Sequence, residues 1–192
     1  WLKNQIVPNN YVPEPNNNRR NMVLSYRISK EAKDYKYIFS KAALYDNALA
    51  IIAFSMEQEY DLAEKVIQAI DRTIAPDGEL WFNYNTHNSW PDQNDHGGAI
   101  SRSGASGWMG YAIVYYLQTR LLNDPDYFKN NISAQRYLNL AELIASKISS
   151  RAINNKKDKR HGFITGGNGS YGIRSNPKTN TPVEKFIPGE IK

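Results

Sequence analysis

The sequence predicts an all-α fold made of helical hairpins, with a short extended segment after each hairpin. Three observations carry this. First, two stretches, over about 40–59 and 104–122, have helix length and place apolar residues around the whole helical circumference. Second, each is followed by a stretch with a single apolar stripe, over about 61–75 and 133–151. Third, each pair runs on into a turn and a few strand-forming residues. A helix that is apolar all round needs neighbours on every side. One layer of such helices inside a layer of amphipathic ones is part of a double-ring helical barrel. A plain four-helix bundle is the alternative, but all its helices would be amphipathic.

Taken in order, residues 1–39 read mostly as loop, broken by Pro8, Pro13, Pro15 and the run Asn16 to Asn18. Trp1 to Lys3 read as the last turn of a helix. The first hairpin covers 40–85. Its buried helix carries Ala42, Leu44, Ala48, Ile51 and Phe54. Its amphipathic helix carries Leu62, Val66, Ile67 and Ile70, with Asp61 as the expected N-cap and Glu64 three residues on. Pro76-Asp77-Gly78 makes a turn before the extended piece Leu80 to Asn85. Residues 86–103 form a polar loop. The second hairpin covers 104–172, with Trp108, Met109, Ile113 and Leu117 on its buried helix and Leu138, Ala141, Ile144 and Ile148 on the stripe of its partner. Gly162 to Gly167 read as a turn with a short strand. Gly166 to Gly172 read as a flexible rim loop: there is no Lys-Ser/Thr ending and no following helix, as a phosphate loop needs. Phe186 to Lys192 show no closing element. The whole is one domain, or part of a larger one, over 1–192.

Composition narrows the function. Of the 192 residues 41% are hydrophobic and 12% aromatic, enough for a core. No apolar run approaches the ~18 residues of a membrane span. The absence of cysteine excludes disulfides, thiol catalysis and Cys-ligated metal. The net charge of +5 comes with no nucleic-acid motif, and Lys156, Lys157, Lys159 and Arg160 read as a solvated loop. Neither nucleic acid nor membrane is expected as a partner. The 13 Tyr, 4 Trp and abundant Asn suit sugars, whose ring faces stack on aromatics while amides bond hydroxyls.

Several segments carry a family resemblance. Ala43-Leu44-Tyr45-Asp46-Asn47-Ala48-Leu49-Ala50 is similar to the start of an inner helix in bacterial six-hairpin (α/α)6-toroid glycosidase-like proteins. Ala75-Pro76-Asp77-Gly78 followed by Trp81 to Asn85, the small-residue-plus-Trp start Ser103 to Ala112, and the loop His161 to Gly167 resemble the same family. The likeness runs from about Trp1 to Gly172 and corresponds to the N-terminal part of the toroid. It implies a secreted or cell-envelope protein that binds or cleaves an oligo- or polysaccharide in a groove at one end of the ring. A full toroid has about twelve helices, against the four here and the tail of one. The rest is then expected from a missing segment, a second chain or a homo-oligomer.

Asp46, at the start of a buried helix, is the expected catalytic carboxylate of a glycoside hydrolase working through paired acids. It reads equally as an acid bonding the first-turn N–H groups. Its partner is not fixed by the sequence; Glu184 and Asp95 are the options. Tyr45, Tyr84, Asn85, Trp90 and Arg102 are expected to bind substrate, Arg102 through an acidic group or as a salt bridge pinning its loop. Trp81 and Trp108 lie near the same loop ends, Trp108 reading as a plug on its apolar helix. Asp92, Asn94, Asp95 and His96 lack the pattern of a calcium loop or a zinc site, so no metal and no cofactor is expected. The alternative function is a non-catalytic glycan-binding or scaffolding module. Lyase or epimerase chemistry would need a base among Tyr and His87, His96 or His161.

Overall fold

The structure is a computed structural model and describes residues 1–7, 19–86, 100–175 and 182–191, with backbone alone for 36–37, 170–175 and 182–191. After a 3-10 turn at Leu2–Gln5 come α1 (Tyr35–Ile38), β1 (Lys41–Ala43), α2 (Leu44–Met56) and α3 (Tyr60–Thr73). Then follow β2 (Asn83–Asn85), β3 (Ser101–Arg102), α4 (Ser103–Asn123), α5 (Tyr127–Asn130), α6 (Ile132–Ser149), β4 (Gly167–Ser175) and β5 (Pro182–Ile191).

The helices form two hairpins, α2 with α3 and α4 with α6, and α2 packs along α4. Among the described residues this is the all-α, two-layer arrangement that the apolar patterns require. The amphipathic α3 buries Ala63, Val66, Ile67, Ala69 and Ile70 and exposes Asp61 and Lys65 on its other side. The inner α2 and α4 supply Leu44, Ala48, Ile51, Met109, Ala112 and Ile113, which are fully buried or within 1% of it. Each such Leu, Ile or Met side chain contributes about 1.5–3 kcal/mol of burial. Both inner helices also keep an uncovered apolar face. Leu49 and Met56 on α2 are 52% and 65% exposed, and Trp108, Tyr111 and Val114 on α4 are 45%, 55% and 47% exposed.

The start of α2 differs from the sequence reading because its flank is a strand. Lys41 to Ala43 pair antiparallel with Asn83 to Asn85, Lys41 opposite Asn85, and this draws them out of the helix. The fold then fastens α2 through one buried amide. Asn47 accepts from the Val23 N–H (2.8 Å) and donates to the carbonyls of Val23 (3.2 Å) and Ala43 (2.8 Å). Asp61 is not the cap of α3. The helix begins one residue earlier with Glu59 at the N-cap, and Asp61 lies in the first turn, where its charge meets the positive helix end. Glu64, not turned back to a cap, accepts from the Tyr137 hydroxyl at 2.7 Å and so joins α3 to α6. The side chain of Asn131 caps α6, accepting from the Ser133 N–H at 2.9 Å.

The glycine-rich segment is also corrected. It is not a loop: β4 pairs antiparallel with β3 on one side and with β5 on the other, and β5 takes up the chain end that shows no closing element in sequence. The reason is a close backbone approach. A Cβ on Gly167, whose φ is +137°, would lie 1.9 Å from the Ser101 carbonyl oxygen, so only glycine lets the strands meet there.

Candidate functional site

The site grows from the way two strands enter two inner helices. Phe82 stands between them. Its carbonyl accepts from Leu44 N–H (2.9 Å) at the start of α2, and its own N–H donates to the Ile100 carbonyl (2.7 Å) just before β3. The N-terminal ends of α2 and α4 therefore open side by side. Tyr45, in the first turn of α2, meets the Phe82 ring edge-on at 5.9 Å. The guanidinium of Arg102 lies 5.6 Å from the centre of the same ring, a cation–π arrangement that orients an exposed cation. A Cβ on Gly104 would stand 2.9 Å from the Tyr45 hydroxyl, which measures how closely Tyr45 leans over the start of α4.

One turn along α4 the exposed Trp108 packs edge-on against Tyr111, centroids 5.8 Å apart. Gly104, Gly107, Trp108 and Tyr111 line a recess of about 430 Å³. The end of the hairpin pair thus offers an aromatic-walled recess, with the Tyr45 hydroxyl beside Gly104 at its edge and the Arg102 guanidinium two residues before that glycine. That is the set of groups a sugar needs: a flat apolar surface for a ring face and donors for its oxygens.

Of the residues predicted from sequence, Tyr45 and Arg102 come together here. Asp46 lies in the first turn of α2 but faces another way. It lines a recess of about 290 Å³ with Trp1, Leu24, Ser25 and Leu49, and no second carboxylate borders that recess among the described residues. Tyr84 sits in the core, not on a groove. It is 1% exposed, its hydroxyl accepts from the Trp81 N–H at 3.1 Å, and burial pushes its phenol up to about 12. Arg19 lies over its ring at 5.2 Å and donates to the carbonyl of Asn85 at 2.7 Å. Tyr84 and Asn85 are therefore tied to the buried Arg19, whose guanidinium burial lowers to about 10. For Tyr84 strand alternation is the reason: β2 presents two faces, sequence does not say which one the core takes, and Asn85 lies half-buried on the opposite face, meeting Arg19 through its backbone carbonyl. Trp90 and Asp95 lie outside the described residues. Glu184 falls on β5, opposite Ile173.

Sequence reasoning did not single out Phe82 or Tyr111, and it read Trp108 as a plug. The Trp108 to Tyr111 spacing of three on a helix was the available signal. It also missed a second polar feature on the other face of β3. Ser101 points away from Arg102 and toward Arg151, whose Nη2 donates to Ser101 Oγ (2.6 Å) and to the Glu79 carboxylate, while Nη1 donates to Ser103 Oγ (2.8 Å). Lys147 joins Asp77 (2.6 Å) and Glu79 (3.1 Å). Among the described residues no group of three or more His, Asp or Glu is placed to hold a metal, and no helix is long and apolar enough to cross a membrane.

No protein-family model matches the chain, and no curated protein matches it. One solved structure does: UGL, an unsaturated glucuronyl hydrolase of α/α-toroid fold, with dGlcA-Glc-Rha-Glc. The identity is 13% and the TM-score 0.48, over 76% of this chain and 35% of that one. This chain thus spans about a third of that protein's length. A likeness of this degree transfers no residue role to this chain.

Proposed function

We propose that this chain forms part of a carbohydrate-active protein, an arc of an (α/α) toroid that holds an oligo- or polysaccharide where α2 and α4 begin. The observation that carries the reading is the convergence of Tyr45 and Arg102 on Phe82, beside the exposed Trp108 and its recess. Trp108 is the platform for a sugar ring; Tyr45 and Arg102 bond its oxygens. The uncovered faces of α2 and α4 are where further hairpins complete the ring, whether from the same polypeptide, a second chain or another copy. Secretion or a cell-envelope location fits a polysaccharide substrate.

The activity we propose is glycoside hydrolysis by paired carboxylates, with Asp46, which faces the recess beside Trp1 and Leu49 and not the one beside Trp108, acting on a part of the polysaccharide that reaches across the start of α2. Paired acids act across a glycosidic bond from about 5–10 Å apart. A second reading, a glycan-binding module without catalysis, is favoured by one fact: the Asp46 recess has no other carboxylate on its described walls. Reducing-end release from a panel of polysaccharides, run alongside binding, separates the two. Hydrolysis that Asp46→Asn abolishes while binding persists supports the enzyme. Binding lost in Trp108→Ala, with no turnover in wild type, supports the module. Unchanged binding in both Trp108→Ala and Arg102→Ala removes the proposed site.

A further inference from the structure

The inner-helix end makes no use of the turn that follows α6. That turn is folded tightly on itself. Ile153 N–H donates to the Phe163 carbonyl and Gly162 N–H to the Ile153 carbonyl, each at 2.9 Å. Asn155 accepts from the Lys157 N–H at 3.0 Å and Asp158 from the Arg160 N–H at 2.9 Å, two side-chain turns that set the tip. On this fixed frame stand Lys156, Lys157, Lys159 and Arg160 with Asp158 as the acid. Arg160 holds Asp158 through Nε (3.2 Å) and Nη2 (2.9 Å). Lys156, Lys157 and Lys159 are exposed and make no ion pair among the described residues. Keeping three like charges together on a rigid turn is unfavourable until an anion meets them. A rigid turn also loses little freedom on binding.

Beneath the turn lies a cleft of about 420 Å³. Its floor is the Glu79–Arg151 pair with Lys147, charges already matched to one another. Its walls carry the amides of Asn154, Asn155 and Asn168 and the hydroxyl of Thr165. Neutral donors and acceptors in a space of this size fit sugar hydroxyls, and the lysines alongside fit acidic substituents.

We propose that the turn at 153–163 and the cleft beneath it form a surface site for an anionic polysaccharide, distinct from the end of α2 and α4. One or two sugar units occupy the cleft, and Lys156, Lys157 and Lys159 neutralise uronate or sulfate groups along the chain. The proposal rests on the carbohydrate reading above. A bilayer would meet the lysines but has no group that fills an amide-lined cleft, and the duplex arm of the test separates a nucleic acid.

The test is binding of the full chain to immobilised polygalacturonate and dextran sulfate, with neutral dextran as the control, across a salt series. The variant is Lys156→Gln/Lys157→Gln/Lys159→Gln, all exposed positions. It is expected to bind both polyanions about 30-fold more weakly at low salt, from ~0.7 kcal/mol for each surface charge. The slope of log affinity against log salt should shrink by about 2–3, one counterion for each lost contact. Asn154→Ala should weaken polygalacturonate with the salt slope kept. Wild-type affinity and slope in the triple variant overturn the site. So does tighter, lysine-dependent binding to phosphatidylserine vesicles or duplex DNA than to either polysaccharide. Trp108→Ala separates the two proposals, since it should alter glycan handling at the helix end and leave polyanion binding by the turn intact.

Discussion

Arg151 and Glu79 lie 72 residues apart in sequence and are bonded through Arg151 Nη2 in the fold. Their side chains are 9% and 14% exposed. The same guanidinium reaches Ser101 and Ser103, so one residue beyond α6 fastens the turn after α3 and the start of α4.

Removing Arg151 leaves the mostly buried Glu79 carboxylate with Lys147 as its remaining cation among the described residues. Arg151→Met should lower stability by about 1–2 kcal/mol, and Arg151→Met/Glu79→Met should recover most of it, because Lys147 then keeps Asp77 and no buried carboxylate is left half-paired. Urea midpoints of the two variants check this; equal losses in both would contradict it.

Acid should unfasten the same region. The Asp77 carboxyl lies below its ordinary range, chiefly through the hydrogen bond from Lys147. Burial pushes Glu79 up, but hydrogen bonds from Ser101, Lys147 and Arg151 outweigh it and hold it below. Carboxyls depressed in the folded state add stability above their ordinary range and lose it as pH falls through that range toward the folded values, below about pH 5. Wild type should therefore lose stability on acidification more steeply than Asp77→Asn/Glu79→Gln. Superimposable pH profiles would refute the assignment.

Asn47 is 1% exposed and serves both backbone groups of Val23. Asn47→Ala leaves those groups unpaired in the core and should cost about 2–3 kcal/mol. Asn47→Asp keeps the bond from the Val23 N–H but loses the donor, so its carboxylate faces two carbonyls and should be no better. Thermal melts rank the three proteins.

Two glycines should answer alanine in opposite ways. Gly78 has φ +86°, and a Cβ there would lie 2.6 Å from the Leu143 carbonyl oxygen on α6, so Gly78→Ala should destabilise by about 2 kcal/mol or more. Gly107 lies in α4, and a Cβ there meets nothing within 4 Å. Gly107→Ala should stabilise by about 0.5–1 kcal/mol from helix propensity alone, while filling part of the recess beside Trp108. Denaturation and glycan binding on one sample read both effects.

The four long helices were legible because their signal is local: apolar spacing in α3 and α6, and apolar circumference in α2 and α4. What was illegible is set by distant pairing. Lys41 to Ala43 look helical until Asn83 to Asn85 claim them. Gly167 to Gly172 look like a loop because the partner strand and the Ser101 backbone are invisible from their own composition. The site divides in the same way. Tyr45 and Arg102 stand out as polar residues at helix starts. Phe82 between them reads as one more apolar residue, and nothing near Glu79 points to Arg151.

The contact between Gly104 and Tyr45 has a practical consequence. What a methyl group at position 104 would strike is the tip of a phenol, not the backbone of α2. Gly104→Ala would tilt Tyr45 aside and leave its chemistry, and that of Arg102 and Trp108, intact. The orientation of one hydroxyl at the mouth of the recess can thus be adjusted from the opposite helix, a means of separating where Tyr45 points from what it is.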